Sequence, residues 1–258
     1  MSFADFNQAL ITLERNSSQN PTTTVSFQMF IRNRVEILKS SDVRFHLDHI
    51  TEKLAFRILA HPLVDVMSNL EIAKFVVGQY LHFAAEIPRI TGLRYGLCHD
   101  EKIRRSLLSV MSEEDGYYPE AKVHQQSHYS LAKLTAESLG VEIEPAIHVG
   151  TAILLAALEM EYRSSLISGL ASSYAREGLY PKLMPKISKQ LSLACSSVNP
   201  IFFDVHAVGD IEHSQAALEC ICELCSAEDL PKVEKSVYLG LGALLSWYDS
   251  LYMEVKCQ

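Results

Sequence analysis

The sequence predicts an all-α protein, on three observations. Apolar residues recur at helical spacing along most of the chain. No stretch alternates strictly between apolar and polar residues with hairpin turns at its ends, so no sheet is expected. The nine prolines, at 21, 62, 88, 119, 145, 181, 185, 200 and 231, fall mainly between apolar-periodic segments. A residue without an N–H can open a helix there but not continue one, and reading between these breaks gives about eight to ten helices.

Taken in order, a short first helix leads into the polar loop "NSSQNPTTT", residues 16–24. It sets off residues 1–25 as an N-terminal helical extension of a single domain spanning 1–258. "GQYLHFAAEIPRITGLRYG" is an apolar helix carrying Glu86 just before Pro88. "DGYYP" breaks the chain after Glu113 and Glu114, and "HYSLAKLTAESLG" resumes it as a helix with inward leucines, stopped by Gly140. "HVGTAILLAALEMEYRSSL", residues 148–166, runs eight apolar residues into Glu159. "FFDVHAVGDIEHSQAALECICEL", residues 202–224, is the helix with the most chemistry.

Composition narrows the function. A net charge of -8 and a pI near 5.7, with no cluster of Lys and Arg, exclude a phosphate-binding surface, so nucleic acid is not an expected partner. "MSFADFNQAL" lacks the basic flank and apolar run of a signal peptide, and "TAILLAAL" and "YLGLGALL" are too short to span a bilayer. A soluble cytoplasmic protein is expected, with no membrane partner. The six cysteines, at 98, 195, 220, 222, 225 and 257, form neither a disulfide scaffold nor a zinc pattern and read as packing thiols.

His206, Asp210 and His213 follow one another at steps of four and three. At 100° per residue all three fall within about 60° on one helix face. That face continues into Ala217, Cys220 and Leu224, so the three polar groups lie on a stripe headed for the interior. Buried polar groups must be paired or metal-bound, and a metal is the better reading of two imidazoles and a carboxylate aimed one way. A hydrogen-bonded core cluster is the plain alternative.

A dinuclear iron site needs more carboxylates, because anionic oxygen ligands hold iron in its higher oxidation states. Glu159 closes its apolar run on a stripe with Ala152, Ala156, Arg163 and Leu166, while Glu161 points well away. A plain ion pair to Arg163 is its alternative. His128 opens its helix with His124 one turn earlier, and spacing alone does not choose among Glu113, Glu114 and Glu120 as the nearby acid. Glu86 is either a ligand or a helix-end acid exposed near Arg89.

The order of Glu86, "EEDG", "HYSLAKLTAESLG", "AALEMEYRSS" and "FFDVHAVGDIEHSQ" resembles the haem-oxygenase-like diiron oxidases, also known as iron-containing redox enzymes. The resemblance spans roughly residues 55 to 255 and is most specific in HxxxDxxH after two phenylalanines. It implies a haem-oxygenase-like bundle of about seven core helices holding two Fe(II) ions, with O2 as co-substrate. Carried over, His206, Asp210 and His213 match the last motif, Glu159 the bridging carboxylate and His128 the first histidine. Where the family carries its first-motif acid this chain has Gln125, Ala121 and Tyr118. Glu114, in "EEDG", takes that place, which implies an inserted helical turn before His128, and Glu86 is the acid from the preceding helix.

The expected function is a diiron oxidase or oxygenase of specialised metabolism. Its substrate is a small carboxylate-bearing molecule, an amino acid or derivative, that undergoes N-oxygenation, desaturation, cyclisation or C–C cleavage. Arg163, with Arg89 and Arg94 as further candidates, would pair with the substrate carboxylate, and Phe202 and Phe203 would line its pocket. Gly209, in mid-helix, is expected to admit a close neighbour or the substrate. A homodimer is the candidate assembly. The other readings are a fatty-acid decarboxylase of the same fold, a metal-free thiaminase-like or haem-oxygenase-like protein, and a non-catalytic interaction protein with an apolar interior. A ferritin-like site is excluded by the absence of any ExxH.

Overall fold

A computed structural model describes residues 40–118, 123–141, 145–226 and 228–257. The first helix, the loop at 16–24 and Glu120 lie outside the described residues. The described helices are α1 (Ser40–Leu59), α2 (Pro62–Val66), α3 (Leu70–Leu97), α4 (Glu101–Glu114), α5 (His128–Leu139), α6 (Val149–Ser164), α7 (Leu166–Glu177), α8 (Tyr180–Ala194), α9 (Ile201–Leu224) and α10 (Leu230–Cys257). The chain divides into two compact units, Met1–Val43 and Arg44–Gln258, and the second holds α2 to α10.

The all-α expectation holds with one correction. A two-residue antiparallel ladder, β1 (Tyr117–Tyr118) on β2 (Val123–His124), stands where only a helix break and an inserted turn were expected. It is too short to alternate visibly in sequence. Two prolines also fail to end helices: α3 runs through Pro88 to Leu97 and α8 through Pro185. A long helix packed along its length absorbs the one backbone hydrogen bond that each proline removes. Glu86 is therefore a mid-helix residue.

The bundle is organised around α7. Every residue from Ser168 to Glu177 is buried, and the helix packs against α10, α9, α6 and α3. Its sequence, "LISGLASSYARE", explains how: small side chains let neighbours approach on all sides. Gly240 of α10 lies over Ser172, where an added Cβ would sit 2.5 Å from Ser172 Oγ and 3.2 Å from its Cα. Gly169 admits the stem of Arg94, which a Cβ would approach to 3.0 Å.

An aromatic core adjoins α7. The Tyr80 ring lies 4.9 Å from Trp247 and 5.1 Å from Phe203, edge-on in both cases, and its hydroxyl pairs with that of Tyr248. Trp247 Nε1 donates to Thr151 Oγ1 (2.8 Å), which donates to Gln79 Oε1 (2.9 Å), so the polar edges are satisfied inside.

Gly209 corrects the expectation of a close approach, since an added Cβ there meets nothing within 4 Å. Gly209→Ala therefore gains helix propensity without a clash and should raise stability by up to about 1 kcal/mol. Gly240→Val, forced onto Ser172, should lower it by about 1–3 kcal/mol. Thermal unfolding of both variants checks the signs, and destabilisation by Gly209→Ala would contradict this packing.

Candidate metal centre

Five polar side chains are buried together from three helices: Glu114 at the end of α4, His128 at the start of α5, and His206, Asp210 and His213 on one face of α9. The α9 stripe is the one the spacing predicts, continuing through Ala217 and Cys220. The α4 and α5 residues, fourteen positions apart, are brought together by the ladder. Gly116 turns the chain with φ 78°, and Gln125 N–H donates to its carbonyl at 2.6 Å. A Cβ on Gly116 would stand 2.4 Å from the Gln125 carbonyl oxygen, so only glycine fits this crossing. Ser127 then caps α5 by accepting from Ser130 N–H, which delivers His128 in the first turn.

The donors are paired with one another. His128 Nδ1 lies 2.7 Å from Glu114 Oε2, His213 Nε2 lies 3.0 Å from Glu113 Oε2, and His213 Nδ1 lies 3.3 Å from Asp210 Oδ1. The neighbouring acids of α4 thus serve different histidines, Glu114 one and Glu113 the other. The His206 ring lies tilted against that of His128, 4.6 Å between centroids, and its Nδ1 donates to the Phe202 carbonyl at 2.7 Å, leaving Nε2 with the free lone pair. Burial alone would raise the Glu114 carboxyl, but the charge and hydrogen bond of His128, with the charge of His213 adding to them, outweigh it and hold it at about 2. Burial lowers the His206 imidazole. It acts the same way on His213, where Asp210 and Glu113 reverse the effect and push the group up to about 11.

Glu177, the last residue of α7, was not anticipated. It is buried, it acts electrostatically on His213, and its Oε1 accepts from Ser173 Oγ and from Arg176 Nη2 (3.3 Å). Its only flag in the sequence is a charged pair, Arg176–Glu177, closing a run of small residues ahead of Gly178 and Pro181. Arg176, buried with it, reaches the hydroxyls of Tyr180 and Tyr162.

Two expected ligands are not brought to this cluster. Glu159, 27 % exposed, accepts from Arg89 (2.8 Å) and Arg163 (2.8 Å), and these guanidinium groups hold its carboxyl at about 2. Glu86 pairs with the same Arg89 at 2.8 Å. The physical reason is that α6 is an outer helix despite its apolar run: Val149, Ile153 and Met160 are exposed, and Glu159 sits at the edge of that face. Arg163 is likewise committed to Glu159 on the surface. The Phe202 ring lies tilted against His206, 4.5 Å between centroids, whereas Phe203 belongs to the aromatic core around Tyr80. The side chain of His124 is outside the described residues.

A cavity of about 570 Å³ opens beside the cluster, lined by Ala85, Pro88, Arg89, Glu114, Asp115, Ser127 and Tyr129. Neither Phe202 nor Phe203 lines it.

Among the described residues, no three His, Cys, Asp or Glu side chains are arranged as placed to enclose a metal ion, because the donors face one another in pairs. The donor chemistry nevertheless fits iron. Glu177 Oε2 and Asp210 Oδ2 are buried without a hydrogen-bond partner, a costly state that a bound cation relieves. Three imidazoles with Glu113, Glu114, Glu177 and Asp210 form the mixed nitrogen and oxygen set that suits non-haem iron.

Fold and site together define a helical-bundle protein with a buried histidine and carboxylate centre. The chain belongs to the family of iron-containing redox enzymes, whose model matches residues 73–248. Its fold is haem-oxygenase-like. It is similar to a CADD-like protein of unknown function from Nostoc punctiforme, with 21 % identity, TM-score 0.68, and 81 % of this chain and 98 % of that one covered. A domain of unknown function with a heme oxygenase-like fold from Shewanella denitrificans gives 16 %, 0.67, 85 % and 94 %. A TenA homolog from Pseudomonas syringae pv. tomato gives 14 %, 0.66, 84 % and 96 %. At these identities the likeness is one of fold. No curated protein matches the chain in sequence. No described helix is long and apolar enough to cross a membrane.

Ferrous titration separates the two glutamates. Glu159→Gln should keep the parent's iron capacity, while Glu177→Gln should weaken at least one ion by about tenfold or more. Because Arg89 and Arg163 depress the Glu159 carboxyl, its contribution to stability is present above the unfolded value near about 4.3 and fades as pH falls toward about 2. Glu159→Gln should thus lower the Tm slightly at pH 7, with the gap closing below about pH 4. Loss of iron in Glu159→Gln at full helicity would restore it as a ligand.

Proposed function

We propose that the chain is a non-haem diiron oxidase or oxygenase acting on an amino acid or a close derivative. Glu114, His128 and His206 would hold one ion and Glu113, Asp210 and His213 the other, with Glu177 as the further carboxylate in the place that the resemblance assigned to Glu159. Iron bound there would supply the electrons that reduce O2, which no side chain of the cluster can. The buried polar centre supports this reading over a non-catalytic bundle with an apolar interior.

The observation that carries the substrate class is the mixed lining of the 570 Å³ cavity, which includes Arg89 together with Glu114 and Asp115. Arg89 is already matched by Glu86 and Glu159, so the mouth carries more negative than positive charge. A lone fatty carboxylate meets repulsion there. A zwitterion satisfies both signs, its carboxylate toward the Arg89 N–H groups that Glu86 and Glu159 leave over and its ammonium toward Asp115. That orientation turns the amino group and its neighbouring carbon toward Glu114 and the cluster.

The test is anaerobic ferrous reconstitution followed by O2 with a panel of free amino acids and fatty acids, read by mass spectrometry. The expected result is about two ferrous ions per chain and oxidation of an amino acid. Arg89→Gln should raise KM by about tenfold or more with a smaller change in kcat. One ion or fewer per chain, or turnover of fatty acids alone, would sink the proposal.

A further inference from the structure

We infer that Arg94 and Ser173 are positioning residues that make Glu177 present a single oxygen to the metal; this rests on the diiron reading above. Arg94 is 2 % exposed, and its one hydrogen-bonded side-chain partner among the described residues is Ser173, at 2.6 Å from Nη1 to Oγ. A buried guanidinium is expensive and is kept without a direct carboxylate only if it does something else. Here it fixes the direction of a hydroxyl. Arginine has donors only, so Ser173 Oγ must accept from it and turn its own proton elsewhere. That proton goes to Glu177 Oε1, one turn along α7. Arg176 Nη2 donates to the same oxygen, which leaves Oε2 buried and without a hydrogen-bond partner.

Two further features are shaped for this relay. Gly169 leaves the space that the Arg94 stem occupies against α7. Arg94, Glu177 and His213 line one cavity of about 10 Å³, enough for a single water beside Arg94 Nη2, the second orphaned atom. The packing therefore leaves Glu177 little freedom to swing and bind through both oxygens.

The test is competitive ferrous titration of the full chain, resolving the two binding events, with circular dichroism and thermal unfolding alongside. Ser173→Ala should weaken one ion about tenfold and leave the other within about threefold. Ser173→Thr, which keeps the hydroxyl, should restore most of the loss. Arg94→Met should resemble Ser173→Ala, and Arg94→Lys should lie between; if Arg94→Met does not fold, the serine pair decides. A merely structural role would lower the Tm and weaken both ions together. Parent-like binding of both ions by Ser173→Ala overturns the inference alone. A parent chain binding fewer than two ions overturns the diiron reading and the inference with it.

Discussion

The structure depends on one constraint, that α7 is buried on every side. A helix with no solvent-facing stripe has nowhere to discard charge, so the Arg176–Glu177 pair at its end must be compensated by its neighbours. Tyr162 and Tyr180 take up the guanidinium, and Ser173 and Arg176 take up one carboxylate oxygen. The surrounding helices can come close enough to do this because Gly169 and Ser172 of α7, and Gly240 opposite, give the backbones room. Fold and polar centre are thus consequences of the same run of small residues.

The centre itself is a balance of burial against opposite charge. Removing Glu114 and His213 from water favours their neutral forms, yet each meets enough opposite charge to stay ionised, and the balance tips the other way for His206. The cluster is held in register by backbone as much as by side chains. The Phe202 carbonyl orients His206, the Ser127 cap places His128, and adjacent residues of α4 diverge so that each reaches a different imidazole.

What was legible in the sequence was what a helix period can carry. His206, Asp210 and His213 lie on one buried face because their steps of four and three demand it, and Gly140 ends α5 in the left-handed conformation that the glycine announced. What was illegible turned on tertiary context. Apolar content marked out α6, yet its apolar residues divide between an exposed face with Val149, Ile153 and Met160 and a buried one with Leu154 and Leu158, while the helix enclosed along most of its length is the plainer "LISGLASSYARE". The helix period could not tell that Glu159 would meet two arginines and that Glu177 would be enclosed. Pro88 misled in the same way, since a proline's local preference yields when a helix is packed along its whole length. Glu113 and Glu114 could not be ranked by spacing because both are used.

The crossing at Gly116 separates two things that a chain usually ties together. Its hydrogen bond to Gln125 closes the base of the excursion between Glu114 and His128, so the neck and the ladder next to it bring together two residues that lie far apart in sequence. The number of positions between a carboxylate and its imidazole is then a poor ruler for recognising such a centre, and the glycine that pinches the neck is the better landmark.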